Sequence, residues 1–354
     1  MEIKYIYSEN PERDIWENLL KFTYTENIKK FLKKREFEVN DELVETISGS
    51  VSQAYEYFLI SKNASLQVSP LLLYYGTSNL LYGISCLLTG ELLEINNHGM
   101  RLIISPNNKE IAETGIKFQD GKTGGVSVYL ESLSSLDKTL VNTGEWTVKE
   151  ILGSIVETID DFTNLYGVKN VQVIPITKVH LENEEHFRIN LDILSQEKIH
   201  ELLPTVPNFS KNYMKPQINY KEQMILRKKI NGNYDHQMSY TGQKFFSAGY
   251  ENHNNIVLPY YLYFFIMLYS FGTLCRYHPE IWNPFIQRDT TGEKNLVEKI
   301  IRISRRQIPN LILNLIFGKE HLYDNNMYKD IDAKTYISKE EIEKLIRKEL
   351  NQRG

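Results

Sequence analysis

The chain has 354 residues, 42% of them hydrophobic and 24% charged, a mix that fits one large or two ordinary folded domains and speaks against a disordered chain. Its 41 basic and 45 acidic residues leave a net charge of −4, so no global field attracts nucleic acid or acidic membranes. Two cysteines, Cys86 and Cys275, lie in apolar runs with no CxxC partner, which fits buried thiols in a reducing compartment better than a disulfide framework or a metal site.

The opening MEIKYIYSENPERDIW has no basic region followed by an apolar stretch, so no secretory signal is expected. Asp14–Phe22 and Asn27–Glu36 read as short amphipathic helices. Asp41 is expected to cap a longer helix, because its carboxylate can accept the free amides of a first turn. In that helix Leu43, Ile47, Val51, Ala54, Tyr55 and Phe58 recur at three- and four-residue spacing and form one buried stripe. Ser69-Pro70 opens the next helix, with serine as cap and proline where no amide donor is required. Its run Leu71–Leu88 is apolar on nearly all sides and belongs inside a core. Gly76 and Gly83 share a face, which opens that face to close approach by another helix.

After Gly90 the pattern changes. Residues 91–146 carry short runs, among them Leu102–Ile104 and Val126–Leu130, that read as strands between turns. Thr147 is expected to cap a helix reaching Asp161. Within 171–193 two β-prone runs flank Glu182–Glu185 as a hairpin or longer connection. Residues 203–255 read as loop-rich, with one helix or strand near Glu222–Lys229. Ile256–Cys275 has the length of a membrane span but holds Pro259 and tyrosines at 260, 261, 263 and 269, with no basic cluster at either flank. We therefore expect a buried core helix, no membrane partner and a cytoplasmic protein. Leu296–Phe317 reads as a helix pair interrupted at Pro309, and Ser338 with Glu341 forms a capping box for a last amphipathic helix. The resulting fold class is mainly α with an inserted α+β region, hence α+β overall. Residues 1–90 and 256–354 supply a helical core built on the helices near 41–62, 69–89 and 256–277, and 91–255 form the α+β lobe.

Three stretches carry a family resemblance: SPLLLYYGTSNLLYG (Ser69–Gly83), HGM (His98–Met100) and LCRYHPEIW (Leu274–Trp282). Their order and spacing resemble the YaaC-like family of bacterial proteins, over roughly 45–100 and 256–285. The resemblance implies membership of that family and brings with it no catalytic residue.

Function must then be read from side chains. Arg276 and His278 end the most hydrophobic helix. A guanidinium can grip phosphate oxygens in a fork, and an imidazole can move a proton near neutral pH. If the helices near 69–89 and 256–277 pack side by side, His98 joins them as a third catalytic candidate in a pocket with Tyr74, Tyr75 and Arg101. HEPN-type ribonucleases use such an Arg and His, but with a longer spacer than the single Tyr277 found here. The alternative roles are a helix-end cation pair at Arg276 and His278, and a simple turn at Asn96–Gly99. Arg302, Arg305 and Arg306 fall largely on one helical face and are candidates for binding a phosphate backbone; RKKING (Arg227–Gly232) is a second basic run. DGKTGG (Asp120–Gly125) lacks the glycine of a phosphate loop five positions before Gly121, where Ile116 stands, and a β-prone run follows it. His180 and His186 flank a charged hairpin tip and read as solvated rather than metal-binding. No metal or other cofactor is expected. Two functions follow: a ribonuclease-like, nucleic-acid-processing effector acting on RNA or DNA, such as a component of antiviral defence, or a non-catalytic subunit that binds a partner protein or a second copy.

Overall fold

The computed structural model describes residues 3–104, 110–119, 123–134, 136, 144–181, 184–219, 223–229, 231–232 and 236–324. The helix expected after Ser338 and residues Asp120–Lys122 lie outside them. The chain opens with strand β1 (Ile3–Tyr7) and helices α1 (Pro11–Leu19), α2 (Thr25–Lys34), α3 (Asp41–Asn63) and α4 (Ser69–Thr89). The cap of α3 is Asn40, not Asp41. Asn40 is extended, with φ −115°, and its side chain accepts the Leu43 amide at 2.7 Å. Likewise α4 is capped at Val68 without a side-chain bond, and Ser69 and Pro70 are its first residues. Gly90 ends α4 in the left-handed region at φ 76°, which a residue without Cβ adopts at little cost.

Strands β2 (Met100–Ile103) and β3 (Gly115–Phe118) precede helix α5 (Gly125–Ser134). Val126–Leu130, expected as a strand, is thus helical. Two backbone carbonyls nucleate it from outside the segment: Asn97 accepts the Gly125 amide at 2.9 Å and His98 the Val126 amide at 3.3 Å. Burial of the segment on nearly all sides then removes the alternation that separates strand from helix. Next come strand β4 (Glu145–Thr147) and helices α6 (Val148–Gly153) and α7 (Ile159–Tyr166). Thr147 does form a capping box with Glu150, but the expected single helix breaks after Gly153. Ile155 turns extended there, and the Val156 amide donates instead to the Tyr260 hydroxyl at 3.0 Å.

The hairpin read around Glu182–Glu185 is present as β5 (Val173–Leu181) and β6 (Glu184–Ile189). Helices α8 (Gln196–Leu202) and α9 (Phe209–Asn212) and strands β7 (Gln217–Ile218), β8 (Met224–Arg227), β9 (Gln237–Met238) and β10 (Lys244–Ser247) follow. A six-stranded antiparallel sheet in the order β7-β8-β6-β5-β10-β9 collects them. Strands β2, β3 and β4 make a separate three-stranded antiparallel sheet. The chain closes with helices α10 (Tyr260–Tyr277), α11 (Pro279–Arg288) and α12 (Glu293–Phe317) and with β11 (Glu320–Asp324), which pairs in parallel with β1. Pro309 lies inside α12 and does not split it into two helices. Proline removes only one amide, and the apolar face of Ile308, Ile312, Leu313 and Ile316 stays buried across it.

The core is mixed α+β and helix-dominated. Helix α4 is clasped between α3 and α10. A Cβ on Gly76 would sit 2.8 Å from the Phe58 ring, and one on Gly83 2.9 Å from Ser50 Cβ, so both glycines let α3 close in. On the other side Gly272 of α10 faces Leu71 and Tyr74 at 3.4 and 3.5 Å. From Tyr260 to Gly272 every residue of α10 is buried, and each large apolar side chain so placed stabilises the fold by about 2 kcal/mol. Among the described residues one helix, α4, has the length and apolarity of a membrane span, and 61% of its apolar window is buried inside the protein.

Candidate functional site

The antiparallel packing of α4 on α10 brings the first turns of one to the last turns of the other. Tyr74 stacks on Phe265 and meets Tyr269 edge-on, with ring centroids 5.5 Å apart in both pairs. The loop after α4 places His98 on this aromatic platform. Asn97 Oδ1 accepts the Gly99 amide at 2.7 Å, and Gly99 adopts φ 77°. A Cβ at Gly99 would lie 2.9 Å from the Val126 amide nitrogen, so the turn is pressed onto the start of α5. Asn97-His98-Gly99 therefore is a turn, as its composition indicates, and a rigidly held one. The Tyr269 hydroxyl donates to the Met100 carbonyl at 2.8 Å and fixes the far side of the loop.

His98 Nδ1 and the Tyr74 hydroxyl are 2.5 Å apart. Burial raises the Tyr74 pKa above the ordinary phenol value, so this partner stays protonated at neutral pH. Partial burial, and then the positive charge of Arg276, lower the pKa of His98. The imidazole is thus neutral at pH 7 and carries one unprotonated ring nitrogen. No hydrogen bond engages Nε2 among the described residues. Arg276 donates to the Tyr75 hydroxyl at 2.5 Å and its guanidinium lies 4.7 Å above the Tyr277 ring. Tyr75 is in turn 5.5 Å from Tyr74 between ring centroids. The structure so unites His98, Tyr74, Tyr75 and Arg276 around one exposed corner.

His278 does not join them. It follows the last turn of α10, and its Nδ1 faces Glu280 at 3.1 Å across the start of α11. Arg101 is exposed on β2, opposite Lys117 of β3. The three arginines of α12 do not form a phosphate-binding stripe. Arg305 donates to the Ser61 carbonyl at 2.8 Å, at the end of α3, whereas Arg306 donates to the Tyr323 carbonyl at 2.6 Å and stacks on Tyr240 at 4.6 Å. Both tie helix ends and strands together, and only Arg302 is left exposed. Sequence reasoning missed Tyr269 and Phe265. Their signal was the stripe Phe265, Tyr269, Gly272, Arg276, which steps by four, three and four residues toward the arginine. His186 is 2% exposed, not at a solvated tip, and no cluster of three metal-ligating side chains exists among the described residues.

No curated protein and no solved structure matches the chain. The family model for the YaaC-like proteins matches residues 5–316, which embraces both sheet lobes as well as the helices that carry His98 and Arg276. By that match, over nearly its whole length, the chain belongs to the YaaC-like family.

Proposed function

We propose that this YaaC-like protein cleaves RNA at the His98–Arg276 corner. The observation that carries the reading is His98 held through Nδ1 by Tyr74, whose neighbour Tyr75 holds Arg276; partial burial and then the charge of Arg276 lower the imidazole pKa. A neutral imidazole is a base at physiological pH, and a guanidinium stabilises the charge that gathers on a phosphorane. In the proposed step Nδ1–H of His98 donates to the Tyr74 oxygen, which leaves Nε2 unprotonated; the ribose 2′-oxygen bonds to the adjacent phosphorus and its proton passes to that Nε2. The bond from phosphorus to the 5′-oxygen breaks, and that oxygen takes a proton from water. Arg276 receives the non-bridging oxygens, and Tyr74 holds the ring in place.

The test uses labelled RNA, and the same oligonucleotide with 2′-deoxy sugars. Wild type is expected to cut only the ribose form and to leave a cyclic phosphate. His98→Ala and Arg276→Ala are each expected to slow cleavage by about a hundredfold or more, and His278→Ala to leave it intact. Equal cleavage by wild type and by His98→Ala overturns the reading.

A second reading, a protein-binding subunit, is favoured by β1. Its pairing among the described residues is with β11 alone, and Tyr5 and Tyr7 on one of its faces are 51% and 49% exposed. A Tyr5→Ser, Tyr7→Ser double variant that loses a complex formed by wild type in size-exclusion chromatography would support it.

A further inference from the structure

A second concavity shares no residue with the His98 corner. It lies between the turn that precedes α7, the α12 helix and the turn joining β9 to β10, and encloses about 360 Å³. That volume is at the lower end of ligand-sized cavities. Val156, Ile159 and Ile303 give it an apolar wall. Its polar groups are unevenly satisfied, and the unevenness is informative. Ser239 and Thr241 bond each other through their hydroxyls at 2.6 Å. Lys299 is paired with Asp161. Glu157 uses one oxygen, Oε2, to accept the hydroxyl of Tyr260. Its other oxygen, Oε1, is buried and has no hydrogen-bond partner among the described residues. Leaving such an atom bare costs about 1–3 kcal/mol, which a bound donor would offset.

At the rim, Arg302 is exposed and makes no ion pair or hydrogen bond among the described residues, unlike Arg305 and Arg306 beside it. Asp160 also lines the cavity and is exposed. Tyr240 also lines the cavity, with the Arg306 guanidinium stacked on its ring at 4.6 Å. The cavity wall thus carries Glu157 with one covered, unpartnered oxygen, the Tyr240 phenol and the uncommitted Arg302 guanidinium.

We propose that this cavity binds a small molecule whose anionic group is received by Arg302 and whose N–H donor is received by Glu157 Oε1. Amino acids and nucleoside monophosphates both carry that pair of groups. They are told apart by titrating each common amino acid, each ribonucleoside monophosphate and inorganic phosphate separately into the full chain by calorimetry. One of the two organic classes is expected to bind with Kd below about 1 mM. Arg302→Met and Glu157→Leu are each expected to weaken that binding about tenfold or more, through loss of the charge-assisted contact and of the acceptor. Unliganded Glu157→Leu is expected to melt no lower than wild type, because it removes a buried carboxyl with one unmet oxygen. If that variant fails to fold, the exposed Arg302→Met still decides. The proposal is overturned if neither organic class binds at about 1 mM, if both variants bind as wild type does, or if inorganic phosphate binds as tightly as the larger molecules.

Discussion

Two histidines, His98 and His253, sit against aromatic rings and next to a charged side chain, yet their surroundings differ in depth and in the sign of that charge. His253 is 1% exposed and lies flat on Trp146, with ring centroids 4.0 Å apart. Its Nε2 is 3.2 Å from Glu150, whose carboxylate also accepts the Thr147 amide and the Asn252 side chain. Every oxygen of that carboxylate is occupied, and the group closes the start of α6 onto the turn before α10. His98 instead meets its aromatic partner edge-on, at the surface, beside a positive charge rather than a negative one. A buried carboxylate that receives the imidazole N–H makes a clamp. An arginine neighbour favours the neutral ring and leaves a base. The residue types alone do not separate these roles; the sign of the neighbouring charge and the depth of burial do.

The sharpest way to break this contrast is to remove the clamp. Glu150→Ala deletes the partner of His253 and half of the capping box, and is expected to lower the unfolding free energy by about 3–5 kcal/mol in a denaturant titration. A loss below about 1 kcal/mol would mean that the stack on Trp146, and not the carboxylate, holds the turn.

Acid should reveal the same clamp with a somewhat smaller effect. Hydrogen bonds from His253, Asn252 and the Thr147 amide outweigh burial and hold the Glu150 pKa at about 2, against 4.5 for an ordinary glutamate. A depressed acid contributes stability that is present above pH 4.5 and is lost as pH falls toward 2, by up to about 3 kcal/mol. Glu157 has the opposite sign. Burial pushes its pKa up to about 7, so its contribution is fullest below pH 4.5 and declines, by up to about 3 kcal/mol, as pH rises through 7. Melting temperature against pH should therefore peak between the two. In Glu157→Leu the decline on the alkaline side should shrink, while the acid limb remains.

Next in size is Gly83→Val, which tests the helical core that positions His98. The added methyls must displace Ser50 of α3, at a cost of about 1–3 kcal/mol, offset by about 0.5 kcal/mol from better helix propensity. We expect a net loss of about 1–2 kcal/mol by thermal unfolding. That this glycine could be singled out from spacing alone marks what was legible in the chain. Helices α3, α4 and α10 are long, and the spaced stripe of α3 and the all-round apolarity of α4 and α10 marked them as core helices, whereas the side-by-side packing of α4 and α10 was a condition that the structure meets. The segments that misled are those whose structure is imposed from elsewhere. Val126–Leu130 is helical because Asn97 and His98 lend it carbonyls, and the break after Gly153 is held by a hydroxyl from Tyr260. Strands β7 and β9 are two residues each, too short to leave a period of their own. For the site, composition singled out His98, Tyr74, Tyr75 and Arg276 as companions. His278, read as their neighbour, faces Glu280 instead, and the arginines read as one stripe on α12 part ways, because helical phase says which face a side chain leaves from, not whether a carbonyl such as that of Ser61 is waiting to receive it.

The smallest effect on stability is expected where the effect on chemistry is largest. His98→Ala removes an exposed ring whose one bond is to Tyr74, and should change the unfolding free energy by no more than about 0.5–1 kcal/mol. Tyr74→Phe should do the same, since the stack on Phe265 survives. The informative variant is Arg276→Met. With the guanidinium gone, burial alone lowers the His98 pKa, so that pKa should rise toward its ordinary value of 6.5. The imidazole C–H resonance, followed by NMR against pH, reads this without any substrate. The acid limb of a cleavage profile should move to higher pH by the same amount, because the base must be unprotonated to act. An NMR titration that stays put would show that Arg276 does not tune the ring. A shifted titration with no cleavage in wild type would leave the electrostatic pairing standing and remove the nuclease.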